Sequence, residues 1–374
     1  MAQDTKRIQS IDILRGIIMI VMALDHARDY FSGARYQPKD LQHASTILFF
    51  TRWVTHYCAP VFVFLSGTSV FLSMGSKTKG QKALQVLSRG LWLVVLEVTV
   101  VNYGWMFDLD LTHPFLQVIW AIGVSMVCLS VLMMLPRWAV LAISLLMIGG
   151  HNMLDGLQPA GREGLAWHVL HIQGPISYHS LQIMIIYPLI PWIGVMGAGY
   201  CFGSVFVMAP VERNRWLYGI GVGAMVLFVI LRGANGYGDP SPWVREGTVW
   251  RTVLSFINVT KYPPSLLYLL MTLGPAIAAM PLLERVGKAG NVFRVYGRVP
   301  LFYYILHIYL LHSMAVVASY LFRHNEHVGP FVHPGYSLGV VYVVWASAVV
   351  ALYLPCQWFM HVKMSHRKWW LSYL

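Results

Sequence analysis

An all-α, polytopic integral membrane protein is predicted from three observations. Only 11% of the 374 residues are charged and 57% are hydrophobic, whereas a soluble domain carries about 25% charged residues. Apolar stretches of roughly 20 residues, the length that crosses a hydrocarbon core of ~30 Å, recur along the chain. Basic residues outnumber acidic ones, 27 Lys and Arg against 15 Asp and Glu, and most of them gather in alternate connecting segments, as in the cytoplasmic loops of membrane proteins. These features exclude a soluble globular enzyme, a disordered chain and a secreted disulfide scaffold. They also give the net charge of +12 a topological meaning rather than a nucleic-acid-binding one.

About ten transmembrane helices are expected in one membrane-embedded domain, 1–374. The first span, 11–31, follows Lys6 and Arg7 as a signal peptide would. Asp12, Arg15 and Asp25 interrupt it and no small-residue cleavage site follows, so it is read as a retained helix. Spans at 47–74, 84–106 and 115–135 come next, then a short one at 138–153. The sixth, 179–208, contains Pro188 and Pro191 and is expected to kink. The last four lie at 215–232, 261–283, 298–322 and 337–360. With both termini in the cytoplasm, the basic groups at 77–89 and 363–368 fall inside, and the short outer loop 108–113 carries no Lys or Arg. One span more or fewer would put one of those groups on the wrong side. No internal repeat or extramembrane dimerisation segment is visible, although helix faces could still pair into a homo-oligomer.

Ionisable side chains inside a span are costly and are functional candidates by default. The first helix holds Asp12, Arg15, Asp25, His26, Arg28 and Asp29. Arg15 and His26 are eleven positions apart, which is about three turns and ~16 Å of rise, so both lie on one face. An anion held at one end of that face would leave a base at the other. Arg15 reads equally as a snorkelling anchor, and His26 as a helix-end residue. Asp25 is placed to tune His26, but adjacent helical side chains point apart, so it has other potential partners. His56 lies in the second span. His307, with Tyr304 beside it, lies in the ninth and reads as pocket lining or packing. His307 and His312 are five apart, off a shared stripe, and Cys58, Cys128, Cys201 and Cys356 lack CxxC spacing. No metal site is expected.

Several segments resemble a known family. Ser10-Ile11-Asp12-Ile13-Leu14-Arg15-Gly16, followed by Leu24-Asp25-His26-Ala27-Arg28-Asp29-Tyr30-Phe31, is similar to the opening of the bacterial DUF1624 membrane proteins. These are relatives of the heparan-α-glucosaminide N-acetyltransferase catalytic domain. The resemblance continues through 50–68, His151-Asn152-Met153-Leu154-Asp155, 187–194, Lys261-Tyr262-Pro263-Pro264-Ser265-Leu266 and 297–307. The Arg15 to His26 spacing also resembles the first-helix motif of the wider acyltransferase-3 enzymes. The chain departs from the animal enzyme after the first helix, where Asp25-His26 replaces an Asn-Tyr and a glycine run. Gln42-His43-Ala44-Ser45 echoes the animal His-Ala-Ser segment only with gaps, leaving His43 a minor candidate.

The resemblance implies an acetyltransferase of the bacterial inner membrane. It would move an acetyl group from cytoplasmic acetyl-coenzyme A to an amino sugar or other glycan on the periplasmic side. On that reading His26, with Asp25 and His56, is catalytic, as base or as acetyl carrier. Arg15, Arg89, Arg294 and Arg298 are the cations for the donor's phosphates. Lys261, His307, Tyr304 and Asn152 are acceptor-side candidates. The rival reading is a proton-coupled secondary transporter, since buried Asp, His and Arg also build proton relays.

Overall fold

The computed structural model describes residues 8–34, 39–75, 77–110, 112–159, 161–322, 327–328, 331–332, 335–366 and 368–373. The helices in chain order are α1 (Gln9–Phe31), α2 (Thr46–Trp53), α3 (Cys58–Leu72), α4 (Lys79–Leu96), α5 (Asn102–Met106), α6 (Val118–Leu132), α7 (Arg137–Gly150), α8 (Gly161–Leu170), α9 (Leu189–Phe202), α10 (Pro210–Ala234), α11 (Val249–Ile257), α12 (Leu266–Leu283), α13 (Asn291–Arg298), α14 (Pro300–Phe322) and α15 (Leu338–Ser365). A 3₁₀ turn, Val54–Tyr57, joins α2 to α3, and a π-helical turn, Glu97–Val101, joins α4 to α5. Each of the ten expected spans therefore contains a helix. Eight of the continuous helices among the described residues are long and apolar enough to cross a membrane. α1 has the length, 23 residues, but carries too many charges. α6 has only 15 residues, about 22 Å of rise. The chain is an all-α polytopic membrane protein, with outward apolar faces such as Val226, Val229 and Ile230 of α10 and Val343, Val350 and Leu354 of α15.

Polar caps define several starts. Ser45, Thr78, Thr248 and Ser265 accept from the backbone of α2, α4, α11 and α12, and at α4 Gln81 completes a reciprocal box with Thr78. The sixth expected span, 179–208, is shorter than the hydropathy suggested. Its first part is strand β3 (Leu181–Ile185), which pairs antiparallel with β2 (Gly174–Tyr178) and parallel with β1 (Phe115–Leu116). Pro188 sits at the N-cap of α9 in extended geometry, so the prolines begin the helix instead of kinking it.

α1 is the axis of the fold, packed against α3, α12, α13, α14 and α15. Its contact with α13 is close enough to require glycine on both sides. A Cβ on Gly16 would lie 1.8 Å from the Phe293 carbonyl oxygen, and one on Gly297 would lie 1.9 Å from that of Asp12. This crossing brings Arg298 beside Arg15. The loop from α10 to α12 is held by a second device. Arg232, only 1% exposed, donates to the carbonyls of Ser241, Ser255, Phe256 and Asn258. Asp239 accepts from Thr260 and Ser265. Together they fix the turn that carries Lys261.

Candidate active site

Two imidazoles meet between α1 and α14. His26 Nδ1 lies 2.7 Å from His307 Nε2. The rings are within 6° of parallel, with centroids 4.9 Å apart, so at that nitrogen separation they meet edge to edge in one plane. His307 Nδ1 is 2.9 Å from the Tyr303 carbonyl one turn earlier. A carbonyl only accepts, so His307 Nδ1 carries the hydrogen and Nε2 of the neutral ring is an acceptor. His26 must then donate from Nδ1, which leaves its lone pair on Nε2. A general base needs that state. Trp105 and Tyr304 close around His26 edge-on, at 4.8 and 6.1 Å between centroids. Both histidines are buried, His307 fully.

A cavity of about 220 Å³ reaches Tyr304, whose ring separates it from this pair. Arg15, Met19 and Met22 of α1 line it, and the next residue on that helical stripe is His26. Val118, Ile119, Ile122 and Met126 of α6 form the opposite wall. Arg89, Arg298 and Lys363 join Arg15 at one end. At the other, Tyr304 lines the cavity and packs edge-on against His307, 5.6 Å away. Arg15 is held by the Ser69 hydroxyl at 2.8 Å, and Arg298 by Asp12 at 3.3 Å. Arg15 and Ser69 also border a second, larger cavity of about 1090 Å³, which reaches Lys79 and Arg137. The smaller space lies below the ~300–1,000 Å³ of pockets that enclose a whole ligand. It suits an extended arm.

The catalytic-domain model of heparan-α-glucosaminide N-acetyltransferase matches residues 7–234, more than half of the chain. The chain belongs to this family. No curated protein matches it. As a member of a membrane acetyltransferase family, it carries His26 and most of the cavity wall within the matched stretch, whereas His307, Arg298 and Tyr304 lie beyond it.

The expected site residues of this family member separate into three groups. Arg15, Arg89, Arg298, His26, Tyr304 and His307 converge on the cavity and the dyad. Asp25 and Lys261 pair with each other at 3.3 Å. Asp25 also lies 2.7 Å from Arg28, and Lys261 lies over the Tyr262 ring at 5.2 Å. The carboxylate thus faces two cations, and the partner of His26 is His307. His56 is 3% exposed and neither ring nitrogen is hydrogen-bonded. It touches Tyr268 edge-on and accepts the Tyr268 hydroxyl through its own carbonyl. Arg294 donates to Asn291 and lines neither cavity. Asn152 accepts from the Leu266 amide and donates to Asp155, bracing α12. His43 is half-exposed on Asp40, whose carboxyl that contact holds below the usual carboxylate range.

Sequence reasoning missed Ser69, Lys363 and Tyr373, which complete the cavity, and Glu97. Glu97 is fully buried, and its two oxygens accept from the amides of Gln117 and Trp120, 2.8 and 3.2 Å away. It caps α6 from another helix. A lone Glu inside an apolar span was the available signal.

Proposed function

We propose that this chain transfers an acetyl group from acetyl-coenzyme A to an amino sugar or other glycan across a bacterial inner membrane. The donor enters from the cytoplasm, where both termini lie. The observation that carries this reading is the polarity of the cavity. Guanidinium and ammonium groups at the Arg15 end suit phosphates, because they supply charge and several donors. The narrow bore beyond them is largely apolar and suits a pantetheine arm. Tyr304, beside the dyad, stands where the thioester would arrive.

Each residue then has a task. Arg15, Arg89, Arg298 and Lys363 bind the phosphates. Met19, Met22 and the α6 wall guide the arm and keep water out. His26 Nε2 takes the proton from the acceptor amine or hydroxyl as that group attacks the thioester carbonyl carbon. The carbon–sulfur bond breaks as the tetrahedral adduct collapses, and the proton passes to the departing thiolate. His307 holds His26 in the required tautomer, and their hydrogen bond strengthens as His26 gains positive charge. In the carrier variant of this chemistry Nε2 itself takes the acetyl group before the acceptor does.

Purified protein, labelled acetyl-coenzyme A and a panel of amino sugars test the reading. Transfer is expected for the parent protein and is lost in His26→Ala. Undiminished transfer by that variant removes His26 from the chemistry. Label trapped on the parent protein without acceptor, and absent from His26→Ala, identifies the carrier route.

A further inference from the structure

A second cluster lies apart from the cavity and the dyad. His151 begins the 3₁₀ turn that ends α7, Asp155 follows four residues later, and His171 follows the end of α8. One ligand atom from each lies within 4.8 Å of the other two. His151 is 1% exposed and His171 is 2% exposed. Neither ring nitrogen of His151 makes a hydrogen bond of good geometry, and Nδ1 of His171 makes none. The Pro264 carbonyl is a polar neighbour of His151, yet a carbonyl can use only an N–H and leaves the ring's lone pair unused. A buried imidazole nitrogen without a partner is costly, and that of His151, converging with the Asp155 carboxylate and with His171 Nε2, points to a ligand that accepts lone pairs.

We propose that His151, Asp155 and His171 bind a divalent transition-metal ion of the zinc class. Two imidazoles and one carboxylate suit zinc, whereas magnesium and calcium prefer all-oxygen shells. His171 Nε2 and Asp155 Oδ1 lie 2.9 Å apart and share a proton. The ion takes the place of that proton, which the neutral His171 ring then carries on Nδ1. Asn152 Nδ2 donates to Asp155 Oδ2 at 2.9 Å, the kind of outer partner that orients a ligating carboxylate. The same Asn152 accepts from the Leu266 amide at the start of α12. The ion therefore ties the α7–α8 loop to the turn carrying Lys261, as a structural brace with its fourth position left to water.

The test does not depend on acetyl transfer. Full-length protein in detergent is stripped with a chelator, reloaded with zinc or cobalt, and read by metal content, visible absorption and thermal unfolding. Expected are stoichiometric zinc, a melting temperature raised by zinc, and the intense visible bands of four-coordinate cobalt. His151→Ala and His171→Ala should lose the metal and the zinc-dependent rise while melting like the stripped parent. If those variants do not fold, the cobalt spectrum of the parent protein decides. Parent protein that holds no metal above the buffer blank, or variants that hold as much as the parent, overturns the proposal.

Discussion

The tautomer of His26 is set two groups away, by the Tyr303 carbonyl acting through His307. Removing either imidazole should therefore cost transfer by similar factors, about 10²–10⁴ for loss of general-base catalysis. The rates of His26→Ala and His307→Ala measure this, and a His307 variant with parental activity would contradict the relay. Asp25→Asn should behave differently. It leaves Lys261 and Arg28 short of a buried counter-charge, and breaking such a pair costs roughly 3–5 kcal/mol. Its main effect should be a lower melting temperature, with substrate turnover by the remaining folded protein largely kept. His26 was legible as a candidate because an ionisable residue in an apolar helix stands out. Its partner was not, because spacing along α1 shows only neighbours on that helix, whereas His307 arrives from α14.

At the scale of elements, two devices hold the cavity walls. Gly16 and Gly297 let α1 and α13 touch along their backbones. Gly297→Ala should force them apart, with an overpacking cost of about 1–3 kcal/mol. Moving Arg298 away from Arg15 should also raise KM for acetyl-coenzyme A more than it lowers kcat. Glu97 holds the buried start of α6. Glu97→Leu removes the acceptor of two amides and should destabilise the protein by at least about 1–3 kcal/mol, read as a lower melting temperature. The order of the long apolar helices was legible because length and apolar content mark a span. The β3 strand was not, since a short apolar run looks alike as strand or helix. The proline at α9 could be read as a kink or as a start, and only the packed sheet decides between them.

At the scale of the molecule, the fold places a basic rim at one end of a narrow bore and Tyr304, packed edge-on against the histidine pair, at the other. Filling the bore should separate binding from chemistry. Met22→Trp, on the wall between Arg15 and His26, should abolish transfer while acetyl-coenzyme A still raises the melting temperature through the rim. Arg15→Ala should do the reverse. It should weaken donor binding by the ~1.5–3 kcal/mol of a charge-assisted hydrogen bond, with kcat at saturation kept. Arg15, Arg89 and Arg298 were picked out from the expected inner face and line the cavity. That Arg294 stands off the cavity while Lys363 and Tyr373 enter it depends on how α13 and the C-terminal segment fold over α1, which no local pattern encodes.

The most direct measurement is an experimental density map of the protein with coenzyme A bound. The expected map has the nucleotide phosphates on Arg15, Arg89 and Arg298, the arm between Met22 and Met126, and the sulfur beside Tyr304 within reach of His26. A map with the arm elsewhere, and protein filling the space between Arg15 and Tyr304, would contradict the assignment.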